Sequence, residues 1–207
     1  MMTKRFIFCA LSIVLFACAQ AKPKEFDAFY TDEDREIFEQ YLSHIAPYKT
    51  ASNETLLKQT AFFFLGKPYV AHTLEVTDEE MLVVNLREFD CVTFVEIVIA
   101  LARTARTDKP DFETFLDNLR NIRYRNGIID GYSSRLHYTS DWIFENEQRG
   151  FLKNISHTIP GNRIENKTIN FMSNNRHLYR HLKDDDAMLA KIIAIENEIN
   201  RRGGFSR

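Results

Sequence analysis

The side chain best placed to do covalent chemistry in this 207-residue chain is Cys91. Of the three cysteines, Cys9 and Cys18 lie in an N-terminal export region, so only Cys91 can act inside a folded domain. A disulfide framework is thereby excluded. From Cys91 to about Arg103 the chain is apolar on nearly every side (Val92, Phe94, Val95, Ile97, Val98, Ile99, Leu101), which predicts a helix buried on most faces with the thiol in its first turn. A thiol in that place sits at the positive end of the helix dipole, which favours the thiolate, the form that attacks a carbonyl. A buried structural cysteine could occupy the same place, and position alone does not separate the two readings. The rival chemistry is zinc, because His177 and His181 lie four apart and would share one face if 175–182 is helical. Two ligands do not complete a site, no Glu lies between them, and Arg176 and Arg180 flank the pair. The better reading is a solvated helix face, with no metal and no cofactor.

Several elements must position the thiol. Thr31, with acidic residues behind it, caps a helix whose apolar face is Ile37, Phe38, Tyr41, Leu42 and Ile45, stopped by Pro47. A second helix opens near Asn53, buries Leu56, Leu57, Phe63 and Phe64, and ends at Leu65-Gly66, with Pro68 preventing continuation. Met81 to Val84 reads equally as a short strand or a helical turn. Asp111 caps a helix carrying Phe112, Phe115, Leu116, Leu119 and Ile122 toward the core, and Asn126-Gly127 between Arg123-Tyr124-Arg125 and Ile128-Ile129 predicts a small hairpin. Thr139-Ser140-Asp141 starts a short helix through Trp142, Ile143 and Phe144, ended by Gly150. Asp184 to Asp186 cap a last helix bearing Leu189, Ile192, Ile193, Ile195, Glu196 and Ile199.

At the N-terminus, Lys4 and Arg5 precede an apolar run from Phe6 to Phe16, the pattern of a secretion signal over residues 1–21. The run falls well short of the roughly 20 residues that span a bilayer. Two processing sites compete: Leu15-Phe16-Ala17-Cys18, where Cys18 would be lipidated, and Ala19-Gln20-Ala21. A lipid on Cys18, with Lys22 and Lys24 behind it, would hold the protein on a membrane surface. The expected location is the periplasm or the envelope. Charge is near balance, 27 Lys and Arg against 29 Asp and Glu, and there is no basic stripe, so nucleic acid is not an expected partner. The remainder, 22–207, is long enough for one domain with its own core, expected to be monomeric.

The segment Phe89-Asp90-Cys91-Val92-Thr93-Phe94-Val95-Glu96, preceded by Leu65-Gly66-Lys67-Pro68-Tyr69-Val70, resembles the NlpC-type superfamily of papain-like cysteine peptidases, which hydrolyse cell walls. With Arg135-Leu136-His137-Tyr138, Ser140-Asp141-Trp142 and Asn170-Phe171-Met172-Ser173, the chain is similar to the N-acetylmuramoyl-L-alanine amidase-like branch, over about residues 34–199. The resemblance implies an α+β fold and a muropeptide or peptidoglycan fragment as substrate, cut between N-acetylmuramic acid and L-alanine; the peptide bond after D-glutamate is the alternative. It implies Cys91 as nucleophile, its amide as an oxyanion donor, and Tyr69 beside the sulfur as a hydrogen-bond donor. Asp90 and Glu96 belong to the motif, with Asp90 also a candidate helix cap. Arg135, His137, Tyr138, Asp141 and Trp142 would line the groove.

One departure matters. The superfamily carries its general-base histidine on strands after the cysteine helix, in a His-Val-Gly-like segment that this chain lacks. The expectation is therefore the helical N-terminal part of the fold, with the central antiparallel sheet largely missing and the domain incomplete at its C-terminus. His44 and His72 precede the cysteine and His157 sits in a loop-like stretch, so His137 is the best local candidate for the base. The alternative function is a non-catalytic muropeptide binder.

Overall fold

Capping side chains set where the helices begin. In the computed structural model, which describes residues 28 to 203 other than 162 and 166, together with 205 and 206, Thr31 caps α1 (Asp32–Ile45). Thr31 and Asp34 bond reciprocally, the Asp34 carboxylate accepting from the Thr31 amide at 2.9 Å. α1 runs on into a 3-10 turn, Ala46–Tyr48, that accommodates Pro47. Ser52 caps α2 (Asn53–Phe63), whose C-terminus is followed by Gly66 at a φ of 91°. The export segment, with Lys4, Arg5, Cys18, Lys22 and Lys24, lies outside the described residues.

Within Met81 to Val84, Leu82–Val83 resolves as a strand. β1 (Ala28–Phe29) pairs in parallel with β2 (Leu82–Val83), and the buried Asp34 carboxylate accepts the Leu86 amide at 2.8 Å and Arg87 Nε at 3.2 Å. The segment leading to Cys91 is thus fastened to α1. α3 (Cys91–Ala105) packs most extensively on α4 (Phe112–Arg123), which Asp111 caps. The main core lies among α1 to α4, where the Phe38 ring stacks on Phe115 and meets Phe112 edge-on. Tyr41 donates to Thr60 Oγ1 at 3.0 Å, since the Thr60 hydroxyl proton is already given to Leu56 O. A smaller core of Tyr132, Met172, Leu182 and Ile192 forms where α6 (Phe171–Asn174) and α7 (Asp186–Arg202, capped by Asp185) meet the 132–138 segment. α5 (Thr139–Gln148) carries Trp142 into the main core. β3 (Ile164–Glu165) and β4 (Phe205–Ser206) make an antiparallel pair. The fold is mostly helical with two small two-stranded sheets among the described residues.

Three local expectations are corrected. Asn126-Gly127 does not close a hairpin: Asn126 takes a left-handed conformation inside a 3-10 turn, Ile128 is exposed, and Tyr124 bridges to Arg135 instead. The intervening loop is tied by local bonds, Gly127 N to Tyr124 O and Ser134 N to Gly131 O, which leave Ile128-Ile129 no partner strand among the described residues. Leu57 is exposed because α2 presents only Leu56 and Thr60 fully to the core. The stretch 175–182 is not a continuous helix; only Arg176–Leu178 form a 3-10 turn, and His177 and His181 share no helical face.

The strongest fixed point is Arg123, 1% exposed, whose Nε meets Glu96 Oε2 at 2.7 Å and whose Nη1 donates to Val83 O at 2.5 Å. One guanidinium therefore joins α4, α3 and β2. Removing one partner strands the other charge in the core. Glu96→Ala is expected to lower unfolding free energy by about 3–5 kcal/mol in urea titrations; a loss under 1 kcal/mol would show that the pair is solvated and dispensable.

Candidate active-site cleft

Cys91 is exposed at the first position of α3, and three local devices hold it there. Asp90 Oδ1 accepts the amides of Val92 at 2.9 Å and Thr93 at 2.8 Å, while Thr93 Oγ1 receives the Asp90 amide at 2.9 Å. This cap leaves the Cys91 amide with no acceptor among the described residues. Upstream, Tyr69 bridges to Phe89: Val70 N donates to Phe89 O at 2.9 Å and Phe89 N to Pro68 O at 3.1 Å. Behind the bridge, a run of edge-on rings, Phe64 to Phe89 to Phe94, locks the turn to α2 and α3. Pro68 suits this use of the chain because it lends its carbonyl and has no amide to satisfy.

A cleft of about 480 Å³ opens at this turn. Of the candidate residues, Cys91, Tyr69, Asp90, Glu96, Arg135 and His137 line it, and Tyr69 is 72% exposed. Tyr138, Asp141 and Trp142 do not. Tyr138 donates to the buried Glu196 at 2.6 Å and accepts from Met172 N at 2.9 Å, so with Ser173 N on the same carboxylate it joins α6 and α7 to the 132–138 segment. Asp141, buried, accepts from Arg125 and Arg202. Trp142 packs in the main core.

The cleft floor is an ionic network. Arg135 pairs with Glu75 at 2.8 Å and Glu80 at 3.4 Å, and His181 Nε2 lies 3.2 Å from Glu75 while its ring stacks on Tyr132. Burial works against the Arg135 charge, and Glu80 and Glu75 more than offset it, so its pKa is raised. Burial likewise pushes the Glu80 carboxyl upward, against Arg135. His137 Nε2 donates to Tyr132 O at 2.8 Å, and its ring lies 4.3 Å from the Tyr132 ring. Desolvation, with the Arg135 charge beside it, lowers its pKa to about 3. Its Nε2 is thus committed and its basicity weak.

Two cleft features are passed over in the sequence reading, which names His72 but assigns the base to His137. His72 lines the rim, exposed, with a φ of 63°, a conformation that a non-glycine residue holds at a cost of order 1–3 kcal/mol. Leu178, Tyr179 and Arg180 form the opposite wall, with Arg180 paired to Asp78. No sequence spacing signals either one; His72 precedes the cysteine by 19 positions, and the wall follows it by nearly 90.

Residues 59–203 match the AmiA-like family, described as N-acetylmuramoyl-L-alanine amidase-like. Among solved structures, an N-acetylmuramoyl-L-alanine amidase from Bacteroides uniformis is 39% identical with a TM-score of 0.65, the match covering 74% of this chain and 62% of that one. A Bacteroides fragilis protein with a provisional xylanase designation is 36% identical, TM-score 0.63, covering 72% and 62%. A Legionella pneumophila protein assigned to family DUF1460 shares the fold at 23% identity and TM-score 0.53, covering 84% and 60%. This chain therefore spans less than two thirds of the length of the structures it matches. No curated protein sequence matches it.

The depressed pKa of His137 has a stability consequence. Between about pH 3 and 6.5 the unfolded chain binds a proton at this ring that the folded chain does not, so stability rises with pH there and is lost as pH falls. His137→Gln should reduce the slope of unfolding free energy between pH 4 and 6, by up to about 1.4 kcal/mol per pH unit. Urea titrations across that range measure it; an unchanged slope would show that the ring titrates normally.

Proposed function

This chain belongs to the AmiA-like, N-acetylmuramoyl-L-alanine amidase-like family, and we propose that it is a thiol-dependent hydrolase of cell-wall fragments acting through Cys91. The observation that carries the reading is an exposed thiol at the head of α3, beside an uncommitted backbone amide and an exposed tyrosine, at the mouth of a cleft. In the proposed reaction Cys91 Sγ attacks the amide carbonyl joining N-acetylmuramic acid to L-alanine. The Cys91 amide and Tyr69 hydroxyl donate to the oxyanion, the amine leaves with a proton, and water resolves the thioester.

A proton acceptor must reach the sulfur. Of the cleft histidines, His137 has its Nε2 held by Tyr132 O and its pKa pushed to about 3, which suits it to orienting the 132–137 segment; His72 is the exposed ring. The NlpC-type superfamily, in which the base comes from strands downstream, is part of this proposal, as are export and lipidation at Cys18. A glycosidase mechanism, suggested by the provisional name of one relative, needs two available carboxylates. Here Glu75, Asp90 and Glu96 are taken by Arg135, the α3 amides and Arg123 respectively.

Digestion of purified muropeptides, followed by mass spectrometry, tests the proposal. The expected result is release of peptides with a free L-alanine terminus, abolished by Cys91→Ala and slowed about a hundredfold by Tyr69→Phe. Products that persist with Cys91→Ala would refute the thiol mechanism, and saturable binding without cleavage would establish the non-catalytic alternative.

A further inference from the structure

Twelve residues along α3 from the thiol, about 18 Å at helical rise, Arg103 presents a guanidinium that the fold does not satisfy. Its Nε is buried with no hydrogen-bond partner, and no carboxylate acts on its charge among the described residues. Its charge lies over the Phe151 ring at 4.3 Å, and Arg149 approaches the same ring at 4.6 Å. Arg149 differs in that it donates to Tyr124 O and Asn121 O. Burial lowers the pKa of Arg103, with no carboxylate opposing it, and the Arg103 charge helps to lower that of Arg149. A cation in the last turn of a helix suits the dipole, but the dipole does not require a buried, unpaired Nε.

Arg103 borders a cleft of about 520 Å³ between α2, α3 and the chain after α5. The walls are Leu56 and Leu57 of α2, Ile99 and Ala102 of α3, and Phe151 and Leu152. No Asp or Glu lines it, whereas Arg106 and Asn118 stand at its edge. Arg106 is anchored by Ala51 O and Asn53 Oδ1, and Asn118 Nδ2 donates to Thr104 Oγ1 at 3.0 Å, so Arg103 is the lining cation left to engage a ligand. Leu57, exposed on α2, places an apolar residue on the wall of this cleft.

We propose that this cleft is a second binding site, separate from the Cys91 cleft, for a small anionic amphiphile whose carboxylate or phosphate head is held by Arg103 and whose apolar body lies along Leu56, Leu57 and Ile99. The volume is that of a small-molecule site. The planar guanidinium is matched to a carboxylate or phosphate group, and its desolvation strengthens the pairing.

The test titrates the full chain calorimetrically with dodecanoate below its micellar concentration and with inorganic phosphate, alongside co-sedimentation with phosphatidylglycerol and phosphatidylcholine vesicles. Dodecanoate should bind saturably at one site, with affinity falling at least about tenfold in Arg103→Gln, the loss of one charge-assisted hydrogen bond. Arg103→Lys should fall less, and Arg163→Gln, an exposed residue outside the cleft lining, not at all. Circular dichroism verifies that each variant folds. Binding confined to phosphatidylglycerol vesicles and lost in Arg103→Gln would support the site with a membrane lipid as its source. Equal affinity of the wild type and Arg103→Gln, no binding to dodecanoate, phosphate or phosphatidylglycerol vesicles, or phosphate binding as tightly as dodecanoate would overturn the proposal.

Discussion

The arrangement turns on a single buried guanidinium. Arg123, the last residue of α4, reaches Glu96 in the second turn of α3 and the carbonyl of Val83 in β2. Taking both charges out of water costs several kcal/mol each, and the pair regains this only with good geometry and no leftover donors. That demand favours one register of α3 against α4, since sliding either helix by a turn would bury an unpaired charge. The register sets the depth of Cys91 at the cleft mouth. Glu96 lines the cleft, but its carboxylate faces inward to Arg123, so a motif acid adjacent to the nucleophile serves as framework.

A second layer of polar contacts shapes the cleft itself. Glu75 and Glu80, on the irregular chain before β2, are drawn to Arg135, and Glu75 also meets His181 from the far end of the chain. Segments remote in sequence thus meet over one ionic floor, where the Tyr132 ring stacks on His181 and lies tilted against His137. Such a network is costly to disturb, because each member removed leaves another unpaired in a partly desolvated place. It supplies rigidity around an otherwise open thiol. The Tyr138, Glu196, Met172 and Ser173 cluster does the same for α6 and α7.

α3 consequently works as a spine with different chemistry at each end. Its N-terminus exposes a thiol and a spare amide beside Tyr69; its C-terminus carries Arg103 into an apolar cleft. Between them Ile97, Ala100 and Leu101 are sealed in the core, so the two ends share a rigid element and no common cavity. Longer solved structures match this fold over 62% of their own length, and the residues that hold Cys91 in place here lie among those described.

The sequence by itself determined whatever depends on near neighbours. Thr31, Asp90, Asp111 and Asp185 each satisfy an amide two or three residues ahead, so their helix starts are written in local order, as is the thiol at the head of α3. Apolar periodicity likewise identified the inward faces of α1 and α4, and the family motif located the Cys91 turn. Tertiary structure alone decided the rest. Asn126-Gly127 carries a hairpin signal, yet the bridge forms from Tyr124 to Arg135, because pairing depends on which strand is available. Leu57 reads as core and faces a cleft; Tyr138, Asp141 and Trp142 read as groove, yet the first two serve as polar ties and Trp142 packs in the core; His72 and Arg103 carry no pattern at all. Hydrogen bonds, charges and burial act through space, over separations that no spacing along the chain encodes, so the partner of a side chain is known only once the chain has folded around it.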